Sequence, residues 1–415
     1  MYFNKFFYRA VLVSLAVSLV AACGGGGSDA VGSGAAPVTT PAPSPGASGN
    51  VLAVVVDSGP AGNSVNRLYT SVTICQPGSS TLCQTIDHVL VDTGSTGLRL
   101  LSGVMSAGLN LTRLTGNSGL PLLNCAQFVD NTFAWGPVAV ADILLGGKRA
   151  ASVPIQVIGD PAFNRLASAC STGDVVTTPA TLDANGILGL GLFKEDCGAS
   201  CATSAGNGFY YTCSSASCFS VTRSVASIAK QLKNPVPLFA TDNNGFLVDL
   251  PAVSLAGATS LQGSVIFGIG TQANNQFRPG SVLTTNGGNI TTLLGGKSLD
   301  TSFIDTGSNG LYFDSSILPV CSGSAGSGFY CPDSLTTFSA TMVGANGVSV
   351  PVSFSVNNAT ASFATGTLAV IPTLAGNIFD ARTFDWGLPF FYGRRVFMGI
   401  EGQPSTLGTG PFYAF

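Results

Sequence analysis

Residues 88–98 read HVLVDTGSTGL, and residues 302–311 read SFIDTGSNGL. Each copy is an apolar stretch, then Asp-Thr-Gly-Ser, then a second apolar stretch. The glycine at the third position of the tetrapeptide lets the chain turn sharply and approach a partner closely. One such tetrapeptide is weak evidence because turns of this composition are common. Two copies in matching contexts, one in each half of the chain, indicate an internal duplication.

The composition favours strands and turns over helices. The chain has 415 residues, more than one ordinary domain needs, so two units of comparable size are expected. Only 9% of the residues are charged, against roughly 25% in an average soluble domain. Low charge together with 53 glycines predicts short strands joined by many turns. The net charge of -3 and the scattered Lys and Arg residues make nucleic acid an unexpected partner.

The N-terminal segment predicts export and a lipid anchor. Lys5 and Arg9 precede an apolar run at residues 10–22 that is too short for a bilayer core, which needs about 20 residues, so residues 1–22 predict a signal peptide. The sequence VAAC at residues 20–23 resembles a bacterial lipobox and implies lipidation of Cys23. An ordinary signal peptide with an incidental cysteine is the alternative. Residues 23–50 then form a flexible Gly/Ser/Pro tether from the lipid, and the outer membrane, on its periplasmic or surface face, is the expected location.

Cysteine usage fits an oxidising compartment. With Cys23 set aside, an even number of the 11 cysteines remains. The spacing predicts local bridges Cys75–Cys83 and Cys321–Cys331, and elimination leaves Cys125–Cys170. Three connectivities stay open for the cysteines of a Gly/Ser-rich insertion, Cys197, Cys201, Cys213 and Cys218. A zinc site at these four is the alternative, which their irregular spacing disfavours, so no metal or other cofactor is expected.

The repeated motif resembles the pepsin-like aspartic peptidases, in which each lobe supplies one Asp-Thr-Gly loop. Other stretches match in order: NGILGLG at residues 185–191, SVIFGIG at 264–270, and, with departures in the strand, WGLPFFYGRRVF at 386–397. The resemblance covers residues 51–415 and is nearest to an uncharacterised family of bacterial lipoproteins in the same superfamily. It implies an all-β, bilobal fold of two pseudo-symmetric β-barrel lobes, residues 51–250 and 251–415, with a central cleft.

The resemblance implies that Asp92 and Asp305 form a catalytic dyad. Two carboxylates held about 3 Å apart cannot both ionise cheaply, so they share a proton and act together as base and acid. Thr93 and Thr306 would lock the loops together through hydroxyl-to-backbone bonds. The remaining implied support comes from backbone N–H groups and hydroxyls that face the carboxylates, those of Gly94, Ser95, Gly307 and Ser308. His88 is the single histidine, which excludes the usual zinc hydrolase sites.

The hairpin flap departs from the family pattern. The family places a tryptophan shortly after the first motif and a tyrosine on the flap, but Arg99 takes the first position and no tyrosine occurs at residues 107–208. Three aromatic residues are candidates to cover the dyad instead: Phe128, Phe133 and Trp135. The alternative is that they belong to the hairpin core.

These features predict an exported, lipid-anchored, monomeric aspartic endopeptidase that binds extended polypeptide as an added strand. The alternative is a non-catalytic module that holds a peptide or an envelope ligand in the same cleft. A catalytic protein needs an aromatic residue within reach of the dyad and an open groove, whereas a binding module tolerates a blocked dyad.

Overall fold

The fold is all-β. A computed structural model describes residues 49–415, apart from residues 129, 172, 215–217 and 379. Among the described residues, strands account for 44% and helical segments, most of them short 3-10 turns, for 11%, which confirms the predicted all-β class. The predicted signal peptide, Cys23 and nearly all of the predicted tether lie outside the described residues. Within the part of the chain that is described, no helix has the length and apolar character that crossing a membrane requires.

Twenty-six strands and three short α-helices are described. The strands of the first half of the chain are β1 (Val51–Val56), β2 (Leu68–Cys75), β3 (Cys83–Asp92), β4 (Thr96–Leu101), β5 (Thr112–Arg113), β6 (Leu122–Gln127), β7 (Thr132–Leu145), β8 (Lys148–Ile158), β9 (Asp174–Val175), β10 (Gly186–Leu190), β11 (Tyr210–Cys213), β12 (Val221–Arg223) and β13 (Gly245–Leu250). Those of the second half are β14 (Leu261–Phe267), β15 (Val282–Thr284), β16 (Ile290–Leu294), β17 (Lys297–Ile304), β18 (Leu311–Phe313), β19 (Thr336–Val343), β20 (Ser349–Val356), β21 (Ala375–Gly376), β22 (Phe384–Trp386), β23 (Arg394–Gly399), β24 (Pro404–Ser405), β25 (Gly408–Thr409) and β26 (Phe412–Ala414). The helices are α1 (Pro179–Leu182), α2 (Ala199–Thr203) and α3 (Ala359–Phe363).

The same three-strand unit occurs in both halves and carries the repeated motif. In the first half, β10 lies between β3, to which it is parallel, and β4, to which it is antiparallel. In the second half, β22 lies in the same way between β17 and β18. Each motif therefore connects a strand to its return strand, with a later strand inserted between them. The strand β10 is buried along its whole length, as its uninterrupted apolar sequence GILGL requires.

Strands from both ends of the chain form one sheet that joins the halves. The first strand, β1, pairs with β14, and β14 pairs with β13. The sheet continues from β13 through β23 to the last strand, β26, which also pairs with β15. One cluster of buried apolar side chains likewise contains residues from both halves, from Leu52 to Tyr413. The two halves thus share a sheet and a core.

Five disulfides are present among the described residues. The three predicted pairs form, and the open question in the insertion is resolved as Cys197–Cys201 and Cys213–Cys218. Every bridge links cysteines within one half, and the longest sequence separation is 45 residues. This cross-linking is typical of proteins outside the reducing cytosol.

Candidate active site

The first motif forms a tight loop around a buried carboxylate. Asp92 is the last residue of β3 and is fully buried. The backbone N–H of Gly94 donates to Asp92 Oδ1 at 2.9 Å, and the Ser95 hydroxyl donates to Asp92 Oδ2. Gly189 of β10 lies opposite Asp92, and a Cβ there would meet the backbone carbonyl carbon of Thr96 at 2.7 Å. The supporting strand therefore needs a glycine where the loop crosses it.

The second motif repeats this arrangement. Asp305 follows β17, is 1% exposed, and donates its backbone N–H to Trp386 O at 3.0 Å. The backbone N–H of Gly307 donates to Asp305 Oδ1 at 2.9 Å, and Ser308 Oγ lies 3.2 Å from Asp305 Oδ2. Each aspartate thus has a backbone N–H on one oxygen and a serine hydroxyl beside the other.

Two threonines join the loops reciprocally. The backbone N–H of Thr93 donates to Thr306 Oγ1 at 3.1 Å, and the backbone N–H of Thr306 donates to Thr93 Oγ1 at 2.9 Å. The Thr306 hydroxyl donates in turn to Val91 O at 2.6 Å. These are the cross-loop bonds that the family resemblance implies. A Cβ built on Gly307 would lie 2.6 Å from Asp92 Oδ1 and 3.2 Å from Asp305 Oδ1, so both Oδ1 atoms lie against the same glycine.

Two further residues, which belong to no motif recognised in the sequence, connect the first half to the second loop. The buried Arg67 guanidinium donates to Gly307 O at 2.7 Å and pairs with Asp183 Oδ2 at 3.2 Å. Its neighbour Asn66, at φ 51°, donates from Nδ2 to the carbonyl oxygens of Asn309 and Ile371, both at 2.8 Å. No motif precedes β2, so only the tertiary structure identifies these contacts.

A cavity of about 460 Å³ borders the first loop. From the first half it is lined by the motif residues Thr93, Gly94 and Ser95 and by apolar side chains that include Phe128 and Leu192. The second half contributes Gly287, Gly288, Phe303, Glu401 and Tyr413. The cavity therefore lies between the halves, where the resemblance predicts a substrate cleft.

The three aromatic flap candidates separate into two groups. Phe128 closes the hairpin between β6 and β7, where its backbone N–H donates to Thr132 O, and it lines the cavity. Phe133 and Trp135 instead pack in a core cluster that includes Tyr211. The Trp135 indole N–H donates to Phe163 O at 2.9 Å. Phe128 is therefore the candidate that can contact a bound molecule, while the other two support the hairpin.

Arg99, at the position where the family resemblance implies a tryptophan, belongs to a buried charged network. Arg99 and Asp196 line the cavity, with Arg99 Nη2 3.6 Å from Asp196 Oδ2. Asp196 also accepts from the Tyr210 hydroxyl at 2.7 Å and from Asn124 Nδ2 at 3.1 Å. Burial raises the pKa of Asp196 to about 6, against the opposing attraction of Arg99. Since Tyr210 lies just beyond the stretch that lacks tyrosine, the sequence did not reveal this network.

The single histidine faces carboxylates other than Asp92 and Asp305. His88 packs edge-on against Tyr69 and faces two carboxylates, Asp57 at 3.4 Å and Asp87 at 3.0 Å. Hydrogen bonding to Asp57 is the main reason that the pKa of His88 rises to about 9. His88 therefore carries a positive charge at neutral pH, which makes it unsuitable as a general base there.

Comparison with known proteins identifies the family to which this chain belongs. No curated protein matches the sequence. Among solved structures, an aspartic proteinase from Irpex lacteus matches with 12% sequence identity and a TM-score of 0.43, over 88% of this chain and 96% of that chain. A family described as "Protein of unknown function (DUF3443)" matches residues 46–415. Because this match spans nearly the whole chain, the protein belongs to the DUF3443 family.

Proposed function

We propose that this protein is an exported aspartic endopeptidase in which Asp92 and Asp305 hydrolyse polypeptide. The observation that carries the proposal is the reciprocal Thr93–Thr306 pairing, which holds two buried carboxylates against Gly307, each with a backbone N–H on its Oδ1. A purely structural junction between two halves has no need for a pair of buried carboxyl groups, because burying charge is costly. The cavity beside the first loop is the space from which a peptide would approach.

In the proposed reaction the dyad carries one proton. The ionised carboxylate takes a proton from water while the protonated carboxyl gives its proton to the peptide carbonyl oxygen, and the C–O bond forms. In the second step a hydroxyl of the diol intermediate gives a proton to the ionised carboxylate of the dyad. The other carboxyl gives its proton to the amide nitrogen, and the C–N bond breaks. The dyad ends with the single proton with which it began. Apolar side chains such as Phe128 and Leu192 would bind a substrate side chain in the cavity.

Location is part of the proposal. The lipobox-like sequence at Cys23 supports a lipid anchor, and the five disulfides support an oxidising compartment outside the cytosol. The substrates would then be exported or envelope polypeptides.

The test is cleavage of an unfolded protein substrate from about pH 3 to 7, with wild type beside Asp92→Asn and Asp305→Asn. A singly protonated dyad predicts a bell-shaped pH profile with an acidic optimum, and each variant should lose turnover because each removes an ionisable partner. Neither variant should unfold, since the amide nearly matches the carboxyl in shape, and circular dichroism checks this. Residual cleavage that is equal in all three proteins would exclude the dyad as catalyst. No cleavage by wild type, together with binding of a statine-type peptide, would favour the peptide-binding module instead.

A further inference from the structure

A third buried carboxylate lies beside the second motif. Asp385, in the middle of β22, is fully buried and pairs in register with Phe303 of β17. The Ser308 hydroxyl donates to Asp385 Oδ2 at 2.6 Å. Ser308 Oγ also lies 3.2 Å from Asp305 Oδ2. Ser308 therefore lies between two carboxyl groups, whereas the corresponding Ser95 donates its hydroxyl to Asp92.

The equivalent strand position in the first half carries no carboxylate. Asp385 pairs with the residue two positions before Asp305, and in the first half Ile187 pairs with Leu90, two positions before Asp92. Ile187 is buried in an apolar cluster, so the same structural position accepts a plain hydrophobic side chain. Placing an acid there costs desolvation free energy. The asymmetry between the halves thus calls for a role that only one of the two loops needs.

The role of Asp385 follows from which carboxyl group accepts the single hydroxyl proton of Ser308. A serine hydroxyl has one proton and can donate to one acceptor at a time. Bonds of 2.5–2.7 Å between a hydroxyl and an oxygen are typical of an ionised acceptor, and the 2.6 Å bond to Asp385 falls in this range while the 3.2 Å contact to Asp305 does not. The Ser308 proton therefore belongs to Asp385. A hydrogen bond between Asp305 Oδ2 and Ser308 Oγ then needs its proton from Asp305.

The other ionisable groups around Asp385 come from every element packed on β22. Tyr413 of β26 faces both Asp305 and Asp385, and burial raises its pKa. Tyr312 of β18 is the cross-strand partner of Asp385, and its hydroxyl bonds to Asn309 Oδ1. From the first half, Arg67 reaches Gly307 O, and Asp92 completes the dyad. Arg67 is the cation in this set, and its guanidinium is directed at a backbone carbonyl and at Asp183.

We propose that Asp385 is a positioning residue that acts through Ser308 to keep the dyad proton on Asp305, so that Asp305 is the acid and Asp92 the base. The effect of Asp385 on kcat/KM rests on the proposed peptidase function, whereas its effect on the titration of the Asp305 carboxyl does not. Asp385 contributes a negative charge near Asp305 and withdraws the Ser308 proton from it. Both effects disfavour ionisation of Asp305 relative to Asp92, whose carboxylate receives the Gly94 N–H and the Ser95 hydroxyl.

The test compares Asp385→Asn with Asp242→Asn, a control at another buried aspartate that bonds to Lys148 and Gln272 outside the dyad. The first readout, which needs no substrate, is the titration of aspartate carboxyl groups by isotope-edited infrared spectroscopy. In wild type one dyad carboxyl should stay protonated to higher pH than in Asp385→Asn, and Asp242→Asn should follow wild type. If Asp385→Asn and wild type release this proton at the same pH, the proposal is wrong whatever the activity.

The second readout is kcat/KM against pH. The alkaline limb of the Asp385→Asn profile should move to lower pH, so that kcat/KM measured on that limb falls about tenfold while the acid side stays near wild type. Ser308→Ala should move the same limb in the same direction, because it removes the bridge. A uniform fall at all pH values would indicate a merely structural role and overturn the proposal. A shifted carboxyl titration in a protein without peptidase activity would refute the proposed function and leave the role of Asp385 standing.

Discussion

At the scale of single residues, Arg99 and Asp196 form a buried pair whose contribution to the free energy of unfolding depends on pH. Burial raises the pKa of Asp196 to about 6 from an ordinary value of 3.8. A carboxyl whose folded pKa is raised stabilises the fold while it is protonated, and this contribution is lost as pH rises through about 6. Arg99 limits that loss, because its charge favours the ionised form. The attraction between Arg99 and Asp196 therefore stabilises the fold above pH 6, where Asp196 is ionised, and contributes little below pH 4.

Arg99→Met should accordingly destabilise the protein at high pH more than at low pH. At pH 8 the variant leaves an ionised, buried Asp196 without its cation, and removing one partner of a buried pair typically costs about 3–5 kcal/mol. At pH 4 Asp196 is protonated, and the cost should shrink to that of a packing change and of the lost hydrogen bond from Arg99 Nη1 to Thr96 O. Urea unfolding at the two pH values measures this difference. The control is Arg99→Met/Asp196→Asn, which should lose the pH dependence; equal penalties for Arg99→Met at both pH values would contradict the assignment.

At the scale of elements, the β6–β7 hairpin has one aromatic residue at the cavity and two in its core. Phe128→Leu nearly conserves volume, so it should change the free energy of unfolding by less than about 1.5 kcal/mol. Because Phe128 lines the cavity, the same change should lower kcat/KM about tenfold. Peptide cleavage and thermal unfolding of the purified variant measure both effects.

Trp135→Phe is the matched variant in the same hairpin. It removes the indole N–H that donates to Phe163 O and leaves that buried carbonyl without this partner, which costs about 1–3 kcal/mol. Its kcat/KM should stay near wild type at temperatures below the transition. If Trp135→Phe lowers kcat/KM as much as Phe128→Leu does, the division of the hairpin into a cavity side and a core side fails.

The sequence predicts those elements whose pattern is local or repeated. The paired motifs predict that Asp92 and Asp305 meet, and the uninterrupted apolar run at Gly186–Leu190 predicts the buried strand that supports the first loop. The contact between Asp385 and Ser308 could not be predicted from the sequence, because the two residues are 77 positions apart. Asp385 also lacks the apolar pattern that marks its counterpart Ile187. A contact between residues so far apart leaves no periodic signal in one sequence.

At the scale of the whole molecule, side chains of the first half hold the second loop in place. Asn66 Oδ1 accepts from the Ile371 N–H at 2.7 Å and from the Tyr392 hydroxyl at 2.8 Å, in addition to the two carbonyls that Nδ2 contacts. All four partners belong to the second half. With the shared sheet and the shared core, these bonds make the relative position of the two loops depend on residues outside the motif.

Asn66→Ala should therefore loosen the dyad as well as destabilise the chain. The change leaves buried polar groups of the second half without their partner, at about 1–3 kcal/mol each, and places alanine at a φ of 51° that asparagine tolerates better. Hydrogen exchange should show faster exchange of the Thr93 and Thr306 amides, which bond across the loops and do not touch Asn66. Asn275→Ala is the control, since buried Asn275 bonds to Phe267 O and to the Gln272 N–H within the second half. Once the global loss of stability is subtracted, this control should leave Thr93 and Thr306 as protected as in wild type. Equal residual loss of protection in both variants would mean that the dyad geometry depends on overall stability and not on the contacts of Asn66.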